Sequence, residues 1–179
     1  MNKKWTLLLL APNAIVCPAY SQDYLSIEQA QKIFYPQATH FKELEVKLSA
    51  EQREKIEELF GVRQRTNEQK VWKAFKGDKF LGWVVLDNVI GKHEYITYAT
   101  ALSGEGHVVG VEILSYRETH GGQVRQTAWR NRFKNKTLSD PFKLDVDVPN
   151  ISGATLSCRN ITNGVKRLLA LQKIALHND

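Results

Sequence analysis

Residues 70–76 read Lys-Val-Trp-Lys-Ala-Phe-Lys, an alternation of polar and apolar side chains that is typical of a half-buried β-strand. Gly77-Asp78 follows as a turn signal, and residues 79–86 continue as a second strand, so the pair predicts a hairpin. Residues 94–102 and 107–115 predict two further strands. The sequence therefore predicts four antiparallel strands in series, forming a curved sheet with one face that needs cover.

Helices are predicted both before and after these strands in the sequence. Two capping boxes, Ser26–Gln29 and Ser49–Gln52, each predict the start of a short helix that packs on the domain and forms no site. A long C-terminal helix is predicted over residues 155–176, because its apolar residues recur at helical spacing. The predicted fold class is α+β: a curved antiparallel sheet of about four strands, packed by N-terminal helices and a long C-terminal helix.

The first 21 residues have the pattern of an export signal. Met1-Asn2-Lys3-Lys4 is positively charged, residues 5–17 are mostly apolar, and Ala19-Tyr20-Ser21 places small residues before a cleavage site. The apolar run is shorter than the roughly 20 residues that a membrane span needs. We therefore expect residues 1–21 to be a signal peptide, 22–69 an N-terminal helical segment and 70–179 the main domain of a periplasmic protein.

Composition argues against several classes of function. The 179 residues include 42% hydrophobic and 25% charged side chains, as in ordinary globular domains. Without Lys3 and Lys4 the net charge falls from +6 to +4, and no basic block is present, so nucleic-acid binding is not expected. Cys158 would be the single cysteine of the mature chain, which excludes a disulfide. The five histidines lack metal-ligand spacing and no nucleophile motif occurs, so neither a metal site nor a catalytic residue is predicted.

The stretch Ile151-Ser152-Gly153-Ala154-Thr155-Leu156-Ser157 is the most informative one for function. It leads into the predicted C-terminal helix, where unpaired backbone N–H groups and the helix dipole favour an anion such as phosphate. Gly153 permits close approach of a ligand, while Ser152 and Thr155 offer hydroxyl groups. From these residues alone, a tight turn with an ordinary Ser or Thr cap is an equally good interpretation.

Residues 152–157 resemble the flavinylation motif of FMN-binding domains, which occur in the G subunit of the Rnf electron-transport complex and the C subunit of the sodium-pumping NADH:quinone oxidoreductase. Residues 111–122 resemble the family's strand and the loop that follows it, and Trp129 and Phe133 match its aromatic positions. In that family the threonine of the motif is joined to FMN by a phosphoester bond, which a dedicated flavin transferase installs. The resemblance implies that residues 70–179 are an FMN-binding domain.

The resemblance also implies site residues and partners. FMN would be attached covalently to Thr155, with its ring across the loop of residues 118–122, and the protein would transfer electrons. The implied partners are the flavin transferase and membrane or periplasmic redox proteins as electron donor and acceptor. The implied cofactor-binding residues are Thr155, Ser152, Gly153, Ala154, Glu118, Thr119 and Gly121.

Three positions depart from the family pattern: Pro149, His120 and Gly122, which stands where a larger apolar residue is common. Pro149 stands six residues before Thr155, where the family usually has Asp, and Asp147 lies two residues earlier. His120 stands where the Rnf subunit has Pro. Non-covalent FMN and a non-redox binding module that has lost the flavin therefore stay open. A stand-alone flavin reductase is a separate alternative, which would need a closed substrate pocket.

Overall fold

A computed structural model describes residues 23–177, so the predicted signal peptide lies outside the described residues. Five strands form one antiparallel sheet in the order β1-β2-β3-β4-β5. The strands are β1 His40–Lys47, β2 Glu68–Lys76, β3 Lys79–Ile90, β4 Tyr95–Ser103 and β5 Val108–Tyr116. The α-helices are α1 Ile27–Phe34, α2 Ala50–Phe60, α3 Thr127–Arg130 and α4 Thr155–Ala175. The predicted α+β class with a long C-terminal helix is confirmed.

The strand β1 was missed by the sequence analysis and lies inside the segment predicted to be helical. It is an edge strand that pairs with β2 from His40–Phe75 to Lys47–Glu68. Phe41 packs on one face of the sheet, whereas Leu44 and Val46 pack on the other. Residues 43–47 alternate between polar and apolar side chains, but Phe41 lies on the other face, so the alternation does not extend over the whole strand. The sheet therefore has five strands rather than about four.

Both faces of the sheet are covered. The larger core lies under α2, α4 and the segment of residues 122–133, and it contains Trp83, Tyr98 and Phe133. The smaller core lies under α1, where Phe34 packs with Trp72. Residues 98–102 of the inner strand β4 are consequently all buried, without alternation. Both capping boxes form as predicted, on α1 and α2.

The position of α4 on the sheet is set by a buried polar cluster. The Asp87 carboxylate accepts hydrogen bonds from the Tyr98 hydroxyl and from the Arg167 guanidinium of α4. Burial raises the pKa of Tyr98 well above its ordinary value, and the neighbouring Asp87 charge adds to that rise. Gly164 allows the close approach, because a Cβ there would lie 2.1 Å from the Tyr98 hydroxyl oxygen. These contacts connect the helix that begins at Thr155 to β3 and β4. Within residues 23–177, no helix is both long and apolar enough to cross a membrane.

Candidate functional site

The start of α4 differs from the starts of the other long helices. In α1 and α2 a serine side chain caps the backbone N–H groups, and the first turn contains an acidic residue, Glu28 or Glu51. Ala154 occupies the N-cap position of α4, no side chain caps the helix, and its first turn contains no acidic residue. The N-terminal N–H groups and dipole of this 21-residue helix are thus left available to an anion from outside the chain.

The Thr155 side chain is accessible at this helix start. Thr155 is partly exposed, and Ser152 and Gly153 are exposed. Gly153 has a φ of 80°, and a Cβ added to it would meet no atom within 4 Å. The turn therefore has open space beside Gly153, next to a threonine that is partly exposed.

The loop of residues 118–122 packs directly behind the turn. Gly121 has a φ of 86°, and a Cβ built on it would lie 2.2 Å from the Ala154 Cβ. The same Cβ would lie 2.7 Å from the hydroxyl oxygen of Tyr116. Only glycine fits this contact. The structure therefore brings together Gly121 and Ala154, two of the predicted site residues that are far apart in the sequence.

We expect Gly121→Ala to destabilise the protein by about 2–3 kcal/mol, because it combines a left-handed backbone with a steric clash. Gly122→Ala is the matched control, since a Cβ on Gly122 meets no atom within 4 Å and its backbone is not left-handed. Urea unfolding of both variants measures the difference. Equal midpoints for the two variants would contradict the packing of Gly121 against Ala154.

Glu118 supports the loop from its other side. Its Oε1 accepts hydrogen bonds from the backbone N–H of His93 at 2.6 Å and of Glu94 at 3.0 Å. Burial raises the pKa of Glu118, but the N–H groups of Glu94, His93 and Lys92 together lower it below its ordinary value. Gly91 permits this contact, because a Cβ there would lie 2.4 Å from the same Oε1. The carboxylate that was predicted to contact the cofactor thus binds the β3–β4 turn in the structure.

The lowered pKa of Glu118 predicts a pH-dependent contribution to stability. A carboxyl with a depressed folded-state pKa stabilises the fold above its unfolded pKa, and this stabilisation is lost as the pH falls through the folded pKa. We expect Glu118→Gln to cost about 1 kcal/mol at pH 7, allowing for the partial exposure of the group. The cost should shrink as the pH falls below the unfolded-state pKa of a glutamate, about 4.3, and should disappear once the pH is below the lower pKa of the folded state. Unfolding curves of both proteins across this pH range test the expectation, and a pH-independent difference would contradict it.

Thr119 and His120 line an open groove on the outer side of the loop. The groove has a volume of about 710 Å³, and its lining includes Gly121 and the Glu112–Arg130 ion pair. The Thr119 hydroxyl lies 2.9 Å from Nδ1 of His120. Across the groove, the Arg125 guanidinium stacks on Tyr24 at 3.7 Å from the ring centroid. This groove is open to solvent and is not the closed pocket that a stand-alone reductase would need.

Asp147 is directed away from the turn. Its carboxylate accepts hydrogen bonds from Lys136 Nζ at 2.7 Å and from the backbone N–H of Phe142 and Lys143 at 3.0 and 2.7 Å. Burial raises the pKa of Asp147, but these partners lower it to a net value below the ordinary one. The side chain thus closes the loop of residues 136–147.

The aromatic residues predicted from the family pattern hold the approach to the turn. Trp129 Nε1 donates a hydrogen bond to the Pro149 carbonyl at 2.8 Å, and Trp129 packs edge-on against Phe133 with ring centroids 5.1 Å apart. Cys158 lies buried in the first turn of α4, and burial raises the pKa of its thiol. Among residues 23–177, no group of three or more His, Cys, Asp or Glu side chains is placed to hold a metal ion.

Tyr116 and Ser157 were missed as members of the site. The Tyr116 hydroxyl donates a hydrogen bond to the His120 carbonyl at 2.5 Å and lies 3.3 Å from Ser157 Oγ. Ser157 stands within the motif, and Tyr116 ends the strand that leads to the loop. No local pattern identifies either side chain as a link between the two segments, because the link exists only after folding.

Comparison with known proteins agrees with this geometry. Residues 91–170, which include the loop, the turn and most of α4, match the family model described as FMN-binding domain. The resemblance to the FMN-binding domain family is confirmed. The G subunit of the proton-translocating ferredoxin:NAD(+) oxidoreductase complex of Clostridium ljungdahlii is 30% identical over 111 residues. The match covers 57% of this chain and 60% of that relative, so the chain spans less than two thirds of the relative's length.

A solved structure shares the fold of this chain. NqrC of Shewanella oneidensis matches with a TM-score of 0.54 and covers 77% of this chain and 81% of its own, at 19% sequence identity. At that identity the similarity shows a shared fold. The family match at residues 91–170 falls inside the segment 70–179 that was predicted to be the FMN-binding domain, whose bounds stay a prediction.

Proposed function

We propose that this protein carries FMN covalently, as a phosphoester of Thr155, and transfers electrons between redox proteins of the membrane or periplasm. The observation that carries the proposal is the uncapped start of α4 at an accessible threonine, inside a segment that matches an FMN-binding domain. The residues fit the cofactor, since its phosphate is an anion and this helix start, unlike those of α1 and α2, lacks both a side-chain cap and an acidic residue.

The protein's own groups would hold and orient the cofactor. The N-terminal N–H groups of α4 would stabilise the charge that remains on the phosphodiester, and the Thr155 hydroxyl would supply the covalent attachment. Gly121 brings the loop of residues 118–122 against this turn, and Glu118 ties that loop to the β3–β4 turn. When bound, FMN supplies the reversible uptake of electrons. The chain then needs no general base of its own.

Export and partners belong to the same proposal. Residues 1–21 have the pattern of a signal peptide, and a covalent bond would prevent loss of the cofactor from an exported protein. The Clostridium ljungdahlii relative, of which this chain spans 60%, is named as a subunit of an oxidoreductase complex. This supports redox proteins as electron donor and acceptor. A flavin transferase would be required for maturation.

The test is the intact mass of the mature protein after co-expression with a flavin transferase in a host that exports it. We expect a gain of FMN less one water, mapped to the peptide that contains Thr155, in-gel flavin fluorescence after denaturation, and an N-terminus at Gln22. A folded protein of unmodified mass would contradict covalent attachment. Flavin released on denaturation would then indicate non-covalent binding, and no flavin at all would indicate the binding module that has lost it.

The structure also bears on the alternatives. Non-covalent binding and loss of the flavin are alternatives because Pro149 stands where the family usually has Asp. The nearby Asp147 carboxylate is occupied by hydrogen bonds to Lys136, Phe142 and Lys143. The Pro149 carbonyl instead accepts the Trp129 hydrogen bond, which keeps the approach to the turn ordered. Because the turn itself is intact and accessible, covalent attachment is the function that the geometry supports best.

A further inference from the structure

We propose that the Tyr116 hydroxyl is a positioning group that fixes the loop of residues 118–122 against the first turn of α4, and thereby sets the surroundings of the flavin carried at Thr155. The second part of this inference rests on the proposed function above. Tyr116 is not among the residues expected to bind the cofactor. It would act through the loop and the helix that it joins.

Three elements of the fold meet at the Tyr116 hydroxyl. Tyr116 is the last residue of β5 and is 4% exposed. Its hydroxyl donates to the carbonyl of His120, in the loop, at 2.5 Å, and lies 3.3 Å from Oγ of Ser157, which is 3% exposed. Ser157 follows Thr155 by two residues in the first turn of α4. A single oxygen therefore links the sheet, the loop and the helix start.

The packing around this oxygen leaves little freedom for adjustment. A Cβ on Gly121 would lie 2.7 Å from the Tyr116 hydroxyl and 2.2 Å from the Ala154 Cβ, so the loop backbone fills the space between the two. Burial raises the pKa of Tyr116, and the hydrogen bond with Ser157 offsets part of that rise. The phenol is thus neutral and able to donate at neutral pH. Its removal would leave the Ser157 hydroxyl and the His120 carbonyl without this partner.

Glu118 and Tyr116 hold opposite ends of the loop of residues 118–122. Glu118 holds the start of the loop to the backbone of His93 and Glu94, whereas Tyr116 holds its end to α4. Loss of the Tyr116 link would leave the segment around His120 and Gly121 tethered at the Glu118 end. Because Ala154 contacts Gly121, the spacing between the loop and the Thr155 turn would then become variable.

The test compares Tyr116→Phe with Tyr35→Phe in the full chain, co-expressed with a flavin transferase. Tyr35 is the matched control, since it is also 4% exposed and its hydroxyl donates a buried hydrogen bond, to the Leu102 carbonyl at 2.9 Å. It belongs to the core under α1, on the other face of the sheet. Each variant removes one buried phenolic hydroxyl, and only the Tyr116 hydroxyl, through His120 and Ser157, joins the loop to α4.

We expect both variants to retain covalent FMN by intact mass. Tyr116→Phe should alter the visible circular dichroism and the fluorescence yield of the flavin, and amide hydrogen exchange at residues 120–122 should accelerate about fivefold, as for loss of one net hydrogen bond. Tyr35→Phe should show neither change. Ser157→Ala, which removes the helix side of the link, should alter the flavin spectra in the same direction, and it serves as the second variant if Tyr116→Phe does not fold.

Unchanged flavin spectra and unchanged exchange at residues 120–122 in Tyr116→Phe and Ser157→Ala would overturn the inference. Equal acceleration in Tyr35→Phe would do the same, because it would show a general loss of stability. The exchange measurement needs no flavin. Wild-type protein that carries no FMN would therefore contradict the proposed function, while exchange at residues 120–122 would still decide whether Tyr116 positions the loop.

Discussion

Thr155→Ala is expected to abolish covalent FMN completely while leaving the fold intact. The variant removes the hydroxyl that would form the phosphoester, and alanine suits the first position of a helix, so we expect a change in stability within about 1 kcal/mol. Intact mass and in-gel fluorescence after co-expression with a flavin transferase measure the loss. A thermal unfolding curve like that of the wild type shows that the loss is not caused by unfolding.

Two further variants sharpen this result. Thr127→Ala removes an exposed threonine that also begins a helix, the short α3, and it should retain the full mass gain. Thr155→Ser keeps a hydroxyl at the same place and should recover part of the attachment. Covalent flavin in Thr155→Ala, mapped to another residue, would remove the assignment of Thr155 but not that of an FMN-binding domain. Non-covalent flavin retained in Thr155→Ala would show that the helix start binds the phosphate without the bond.

Asp87→Ala is expected to have the largest effect on stability, about 3–5 kcal/mol, because it leaves a buried guanidinium without its counter-charge. The side chains of Asp87 and Arg167 are 9% and 11% exposed, and the same carboxylate accepts the Tyr98 hydroxyl. Burial lowers the pKa of Arg167, but Asp87 and Tyr98 together raise it above its ordinary value, so the guanidinium stays charged. Urea unfolding monitored by circular dichroism measures the loss.

Glu57→Ala is the matched control for Asp87→Ala. Its partner Arg63 lies 3.9 Å away and both side chains are more than half exposed, so the loss should be below about 0.5 kcal/mol. Replacing both members of the buried pair, as Asp87→Leu with Arg167→Met, should recover much of the stability, since apolar residues of similar size replace buried ion pairs well. A loss below about 1 kcal/mol in Asp87→Ala would indicate that water reaches Arg167.

Strands and helices were predicted correctly where the apolar residues follow a regular period, every second residue in a strand or every third to fourth residue in a helix. Residues 79–86 were predicted as a strand, and β3 continues to Ile90 because Asp87, polar in sequence, is buried with Arg167. Likewise β1 was missed because it divides its apolar residues between two faces. In both cases a partner from elsewhere in the chain decides the structure, and periodicity contains no information on that partner.

In the candidate site, too, local features were predicted from the sequence, whereas contacts between distant residues were not. The residues from Ser152 to Thr155 and the helix that follows were identified from sequence, because a motif and its helix are contiguous and their chemistry is local. Glu118 was assigned to the cofactor from the same family pattern, yet its carboxylate binds the backbone of residues 93 and 94. Tyr116, which joins the loop to α4, was not identified.

By itself, then, the sequence determined the fold class, the capped helices and the threonine at an anion-favouring helix start, since each depends on residues within a few positions of one another. Tertiary structure alone decided that Gly121 meets Ala154, that Asp87 fixes α4 and that Tyr116 links loop to helix. These contacts join residues more than 30 positions apart. Their energy depends on burial and on partners that only the folded chain brings together.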